Sequence, residues 1–166
     1  MGLDVSLRGT GWCVLPKEWQ PGSWWSVKSG RLTEEGALEG MPRVEAAVKA
    51  VTERVVVYGV SAVFVEQYAF SFSTNGITRV AELLGALRYE LWKLDGIEVV
   101  PVVASSARKT LFGKLPRMVR KEIKQHVEHE LGKMGAPKEW SEDERDAFCI
   151  ANHGRLVLTL PCLMQA

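Results

Sequence analysis

Apolar residues divide the chain into short runs near its start and longer periodic stretches after them. Residues 1–6 and 10–15 each read as a strand, with a glycine-containing turn at 8–11 folding one back on the other. Residues 24–32 predict a third strand, because Trp25, Val27 and Leu32 alternate with polar neighbours. Residues 16–22, with Pro16, Pro21 and Gly22, form the connection. A helix is expected from Pro42, carried by Val44, Ala47, Val48, Val51, Val55 and Tyr58 and ended by Gly59. The unbroken run Ala62-Val63-Phe64-Val65, inside 61–67, predicts a central strand covered on both faces and terminated by Glu66.

Residues 68–75 contain aromatics without a period and are expected to form a loop. Residues 77–94 carry the strongest helical signal, with Ile77, Val80, Leu84, Leu87, Leu91 and Leu94 spaced by threes and fours. Leu83 and Trp92 fall off that seam and invite a partner helix, which a second copy of the chain could supply as a homodimer. After an Asp95-Gly96 turn, residues 97–103 predict another buried strand. Ser105 and Ser106 are N-cap candidates for a short helix ending near Phe112-Gly113. Pro116 opens a basic helix at 117–131, closed by Gly132 and Gly135. Ser141 and Glu144 make an S-x-x-E capping box, so Glu142 and Asp143 begin the last helix. The order β-β-β-α-β-α-β-α-α-α predicts an α/β fold: a mixed five-stranded sheet with an antiparallel three-stranded edge, parallel strands beyond it, and helices on both faces.

With 166 residues, 46% hydrophobic and 25% charged, the chain suits a single domain, 1–166, able to bury a full core. No apolar run approaches the roughly 20 residues needed to span a bilayer. The N-terminus shows no basic region ahead of an apolar core, so a cytoplasmic location without membrane partners is expected. Cys13, Cys149 and Cys162 have no C-x-x-C spacing and read as reduced thiols, neither a disulfide framework nor a zinc site. The net charge of +1 conceals a polarity: residues 104–133 hold eight Lys/Arg against three acids, and residues 134–146 hold five acids against two bases. Such a basic band beside an acidic knot suits a polyanion held next to a metal site, as well as an ordinary solvated helix face.

Asp4 is the least expected residue of the first strand, because a buried carboxylate is costly unless something pairs or ligates it. Glu66 ends the central strand, where open α/β sheets place their sites. Asp143 and Asp146 are three residues apart, share one helix face, and sit where the helix dipole favours ionised carboxylates by about 0.3–1 kcal/mol. Taken singly, each acid has an ordinary role in a turn or a cap. Jointly, they offer an all-oxygen ligand set without a His or Cys cluster, which selects Mg²⁺ or Mn²⁺ over zinc. Two such ions could activate water and stabilise the departing oxygen of a phosphodiester. Arg108, Lys114, Arg117 and Lys124 are candidate DNA contacts, as are Phe70, Phe72 and Asn75 in the loop; the two phenylalanines could equally fold back over the core. Trp19, Trp24 and Trp25 read as sheet packing or as a base-stacking platform, and His153 as structural or superficial.

G-L-D-V-S-L-R-G-T-G-W resembles the opening G-[IL]-D-x-[GS]-x-x-x-T-G motif of RuvC-type Holliday junction resolvases, in the RNase H-like superfamily. V-F-V-E-Q is similar to their second acidic strand, and D-E-R-D-A-F-C-I-A to their D-x-x-D-A helix start. A-R-K-T-L-F-G resembles the V-K-x-x-V-x-G segment and places its basic residue at Lys109, while K-E-I-K-Q-H-V places the next lysine at Lys121. The resemblance implies an RNase H-like fold, with Asp4, Glu66, Asp143 and Asp146 as metal-binding catalytic acids. It implies two Mg²⁺ per active site, with Mn²⁺ a substitute, and Lys109 and Lys121 stabilising phosphate, with Lys114 an alternative to either. It also implies a homodimer nicking symmetric strands of a four-way junction. Val5-Ser6 replaces the usual proline-glycine, and the loop after Gln67 is longer, leaving open which phenylalanine acts as a junction wedge. These departures, in so compact a chain, suit a bacteriophage enzyme working in its bacterial host's cytoplasm.

Another RNase H-like activity, on flaps, other branched DNA or RNA–DNA hybrid, fits the same acids. A sugar-kinase or actin-like ATPase shares the D-x-S-x-x-x-T-G pattern, but needs a second domain and phosphate motif that 166 residues cannot supply.

Overall fold

The computed structural model describes residues 1–5, 9–32, 39–67, 74–94 and 96–163, with the side chains of 74–77, 79 and 160–163 excepted. Strands β1 (Gly2–Asp4), β2 (Thr10–Val14), β3 (Lys28–Leu32), β4 (Val63–Glu66) and β5 (Val99–Val102) form one sheet in the order β3-β2-β1-β4-β5. The β1–β2 and β2–β3 pairings are antiparallel, and the β1–β4 and β4–β5 pairings are parallel. This is the mixed sheet expected from the pattern. Helices α1 (Met41–Val57), α2 (Thr74–Lys93), α3 (Ala104–Phe112), α4 (Arg120–Lys133) and α5 (Glu142–Leu163) complete the described architecture. Among the described residues, no helix is long and apolar enough to cross a membrane.

Side-chain alternation separates two cores. Leu3, Val5, Val63, Val65 and Val99 pack with Val44, Val48, Val51 and Val55 of α1 and Leu83, Leu87 and Leu91 of α2. Cys13, Phe64 and Val102 pack instead with Ala147, Phe148, Ile150 and Ala151 of α5, joined by Val127 and Leu131 of α4 and Ala107 of α3. Val63, Phe64 and Val65 are consecutive and all buried, as a strand with both faces covered requires. Each such side chain contributes roughly 1.5–3 kcal/mol of transfer free energy.

Several boundaries differ from the expectation, each for a tertiary reason. The third strand starts at Lys28; Trp24–Ser26 form a 3-10 turn, closed by the Ser26 hydroxyl donating to the Ser23 carbonyl. The Trp24 indole N–H donates to the Met134 carbonyl at 2.6 Å, and its ring joins Trp19, Trp140 and Phe148. Trp19 and Trp24 are therefore packing residues, whereas Trp25 is 84% exposed. Leu83 is not surplus but core, because α1 lies alongside α2 and widens the buried stripe; Trp92 remains exposed, as does Tyr89. Ser105 and Ser106 lie inside the first turn of α3, which begins at Ala104 without a side-chain cap. The basic helix starts at Arg120, three residues later than expected, where the Val119 N–H donates to the Glu122 carboxylate. Cys13 and Cys149 are free and buried; the side chain of Cys162 lies outside the described residues.

Candidate active site

Asp4 is the last residue of β1 and faces Gly11 on β2, which in turn faces Arg31 on β3. On the other side, β4 runs parallel to β1 and ends at Glu66. The Glu66 carboxyl lies beside that of Asp4 and favours its protonated form, which can donate a hydrogen bond to it. Burial first, then that bond and the charges of Glu66, Asp146 and Asp143, push the Asp4 pKa from its ordinary 3.8 to about 8. Four acids separated along the chain thus share one electrostatic neighbourhood.

The close approach of α5 makes this possible. A Cβ on Gly11 would lie 2.1 Å from the Asp143 carbonyl oxygen, and one on Gly2 would lie 2.2 Å from that of Ala147. Only glycine leaves room for the helix backbone to rest on the strands at these two points. The start of α5 is held by the capping box: the Ser141 N–H and hydroxyl both donate to Glu144 Oε2, at 2.9 and 2.8 Å, and the Glu144 N–H donates to Ser141 Oγ at 3.3 Å. The Ser29 hydroxyl donates to the other Glu144 oxygen at 2.9 Å, tying the helix start to β3. Lys124 pairs with Glu142, and Arg145 with Glu128 at 2.8 Å, joining α4 to α5.

Two arginines meet the helix acids. Arg31 Nε lies 2.7 Å from Asp143, and Arg108 Nη2 lies 2.9 Å from Asp146 Oδ1. Arg108, Glu66 and Asp146 line the same narrow crevice between α3, β4 and α5. Of the adjacent pair on α3, Arg108 therefore turns toward the acids, and Lys109 is exposed. Lys121 and Lys124 line a cleft of about 220 Å³ that also includes Asp146. Lys114 and Arg117 are exposed on the connection between α3 and α4. Phe70 and Phe72 lie outside the described residues; Asn75 lies in the first turn of α2, with its side chain outside them. His153 shares a 2.7 Å hydrogen bond with the Thr110 hydroxyl, a link between α3 and α5.

Arg31 was missed by sequence reasoning. Its signal was its register opposite Gly11, two strands from Asp4, but that register depends on where β3 begins, which the Trp24–Ser26 turn obscures. Among the described residues, no group of three or more His, Cys, Asp or Glu is arranged to hold a metal ion. Asp143 and Asp146 are instead each engaged by an arginine. The chemistry of the donor set nevertheless fits a hard divalent cation. All its donors are carboxylate oxygens, and the Asp4–Glu66 pair is crowded by the charges of two further acids.

No protein-family model matches the sequence, and neither does any curated protein. Among solved structures, the chain is similar to a Thermus thermophilus RuvC structure, with 20% identity, a TM-score of 0.71 and coverage of 96% of this chain and 95% of that one. It is similar also to T. thermophilus RuvC in complex with a Holliday junction substrate, with 16% identity, a TM-score of 0.71 and coverage of 96% and 93%. The chain has the RNase H-like fold of those structures over nearly its whole length.

Proposed function

We propose that this chain is a divalent-metal-dependent endonuclease that resolves four-way DNA junctions. The observation that carries the reading is the meeting of Asp4 and Glu66, at the ends of neighbouring strands, with Asp143 and Asp146 at the start of α5. The shared fold with a protein solved on a Holliday junction substrate directs the choice of substrate.

In this reading Asp4, Glu66, Asp143 and Asp146 hold Mg²⁺ or Mn²⁺, after Asp143 and Asp146 swing away from Arg31 and Arg108. Ions bound there would activate water for attack on the phosphodiester and stabilise the departing oxygen. Arg108 and Lys121 meet the charge on the phosphate, with Lys124 beside them, and Lys109, Lys114 and Arg117 track the flanking backbone. Phe70, Phe72 and Asn75 belong to the segment that enters the junction. Two copies pair through α2, where Tyr89 and Trp92 are exposed, so that both strands are nicked.

Cleavage rates on a four-way junction, a flap, an RNA–DNA hybrid and a linear duplex test the substrate. The junction is expected to be cut fastest; a faster hybrid or flap would reassign the enzyme within the same fold. Asp4→Asn and Asp146→Asn are expected to abolish cleavage while leaving junction binding intact, and full activity in either variant would overturn the reading. Sedimentation is expected to show a dimer at micromolar concentration, and a stable monomer would count against paired nicking.

A further inference from the structure

At the end of the sheet opposite Asp4 lies a cleft of about 560 Å³, larger than the one beside Asp146. It is walled by the chain leaving β2, the start of β3, the approach to β4 and the second half of α5. Lys17, Lys28 and Arg155 line it, and no aspartate or glutamate does. Among the described residues, none of these three cations is ion-paired with a carboxylate. Arg155 is held in place from several sides. Nη1 donates to the Lys17 carbonyl at 3.3 Å, Nη2 donates to Asn152 Oδ1 at 3.1 Å, and the guanidinium lies 5.7 Å from the Trp19 ring centroid. Its Nε is buried without a hydrogen-bond partner. A guanidinium fixed at the wall of the cleft, with two lysines that no carboxylate pairs, is suited to an oxyanion.

Ser26 and Ser61 add hydroxyls, and most of the remaining lining is aromatic or aliphatic. Tyr58, 39% exposed, stacks on Trp12 with ring centroids 5.7 Å apart, while Phe64 and Leu158 add apolar surface. A backed aromatic ring presenting its free side is a stacking platform for a planar base. The volume lies within the range of about 300–1,000 Å³ typical of small-ligand sites. We infer that this cleft is a second ligand site, for a phosphorylated nucleoside: Lys17, Lys28 and Arg155 receive the phosphate, and Tyr58 stacks the base. The same chemistry is offered by a free mononucleotide and by the phosphorylated end of a DNA strand. The site is independent of the carboxylates and of the activity proposed for them.

The test uses the whole chain, titrated with dAMP, with deoxyadenosine, and with a short single-stranded oligonucleotide bearing or lacking a 5′-phosphate. Binding should require the phosphate and weaken with salt, and Lys17→Glu combined with Lys28→Glu should weaken it by about tenfold or more. Both lysines have solvent-facing ends, so thermal melting should stay unchanged and exclude misfolding as the cause. Tighter binding of the 5′-phosphorylated strand than of dAMP assigns the site to strand ends; the reverse assigns it to free nucleotides. Equal affinity in wild type and the double variant, or no phosphate-dependent binding of either probe at millimolar concentration, overturns the inference. Asp4→Asn should leave the titration unchanged. Loss of dAMP binding in that variant would place the ligand at the carboxylates and also overturn it, whereas failure of the cleavage reading alone would leave these titrations intact.

Discussion

Leu3 and Asp4 are neighbours in one strand and point to opposite sides of the sheet. Leu3 is fully buried among the valines of α1 and the leucines of α2. Asp4 faces α5, where Glu66, Asp143 and Asp146 surround it and glycines bring the helix close. The first face is apolar and packed in the ordinary way; the second also buries a core, around Phe64, Phe148 and Ile150, but at its Asp4 end it gathers like charges that oppose folding. The difference shows how the strand divides its labour: apolar packing on both sides of the sheet offsets a carboxylate cluster confined to one end of one face. Mutations on the two faces should therefore separate stability from ion response.

The largest stability loss is expected from Leu3→Ala, about 2–5 kcal/mol by denaturant unfolding, with Mn²⁺-dependent stabilisation and cleavage retained in the molecules that remain folded. Gly11→Ala should cost less, about 1–3 kcal/mol, because α5 must retreat from a Cβ placed against Asp143. Its loss of Mn²⁺-dependent stabilisation and cleavage should nonetheless be complete, and a fully responsive Gly11→Ala variant would break the contrast between the faces.

Asp4→Asn sharpens the comparison in the opposite direction. Asp4 has a pKa of about 8 when folded, against its ordinary 3.8, so the folded chain retains a proton that the unfolded chain releases between these values. Its contribution to the unfolding free energy therefore falls as pH rises through that window. The substitution should flatten the slope and, in metal-free buffer at pH 8, stabilise the protein by about 1–2 kcal/mol. Thermal melts across the window check this, and parallel slopes in variant and wild type would contradict it.

Arg31→Gln should have the smallest effect. The Arg31–Asp143 pair is partly exposed, and its removal should change stability by less than about 1 kcal/mol. Freed from its arginine, Asp143 should accept a cation more readily, so stabilisation should appear at about two- to fivefold lower Mn²⁺, in proportion to that pair energy. An unchanged titration would show that Arg31 does not compete for Asp143.

Much of the candidate site was legible from local rules. Asp4 stood out as a carboxylate in a strand, Glu66 as the end of a continuous apolar run, and Asp143 with Asp146 as two acids on one face behind a capping box. The basic side was less legible. Nothing local distinguishes Arg108 from Lys109; the difference is which side of α3 lies against α5, where Ala107 is fully buried and Arg108 shares a crevice with Asp146, Cys149 and Ile150. Arg31 was hidden for a similar reason, since only the tertiary anchoring of Trp24 shows where β3 starts.

The sequence by itself determined the elements and their order, because periodicity, caps and glycine or proline punctuation act within a few residues. It also determined the two-sided burial of β4, since an unbroken apolar run allows little else. Only the tertiary structure decided how closely α5 rests on β1 and β2, which cations turn to which acids, and that a cationic cleft lies at the far end of the sheet. These depend on strand register and helix rotation. Both are set by contacts between residues far apart in the chain, and no local preference encodes them.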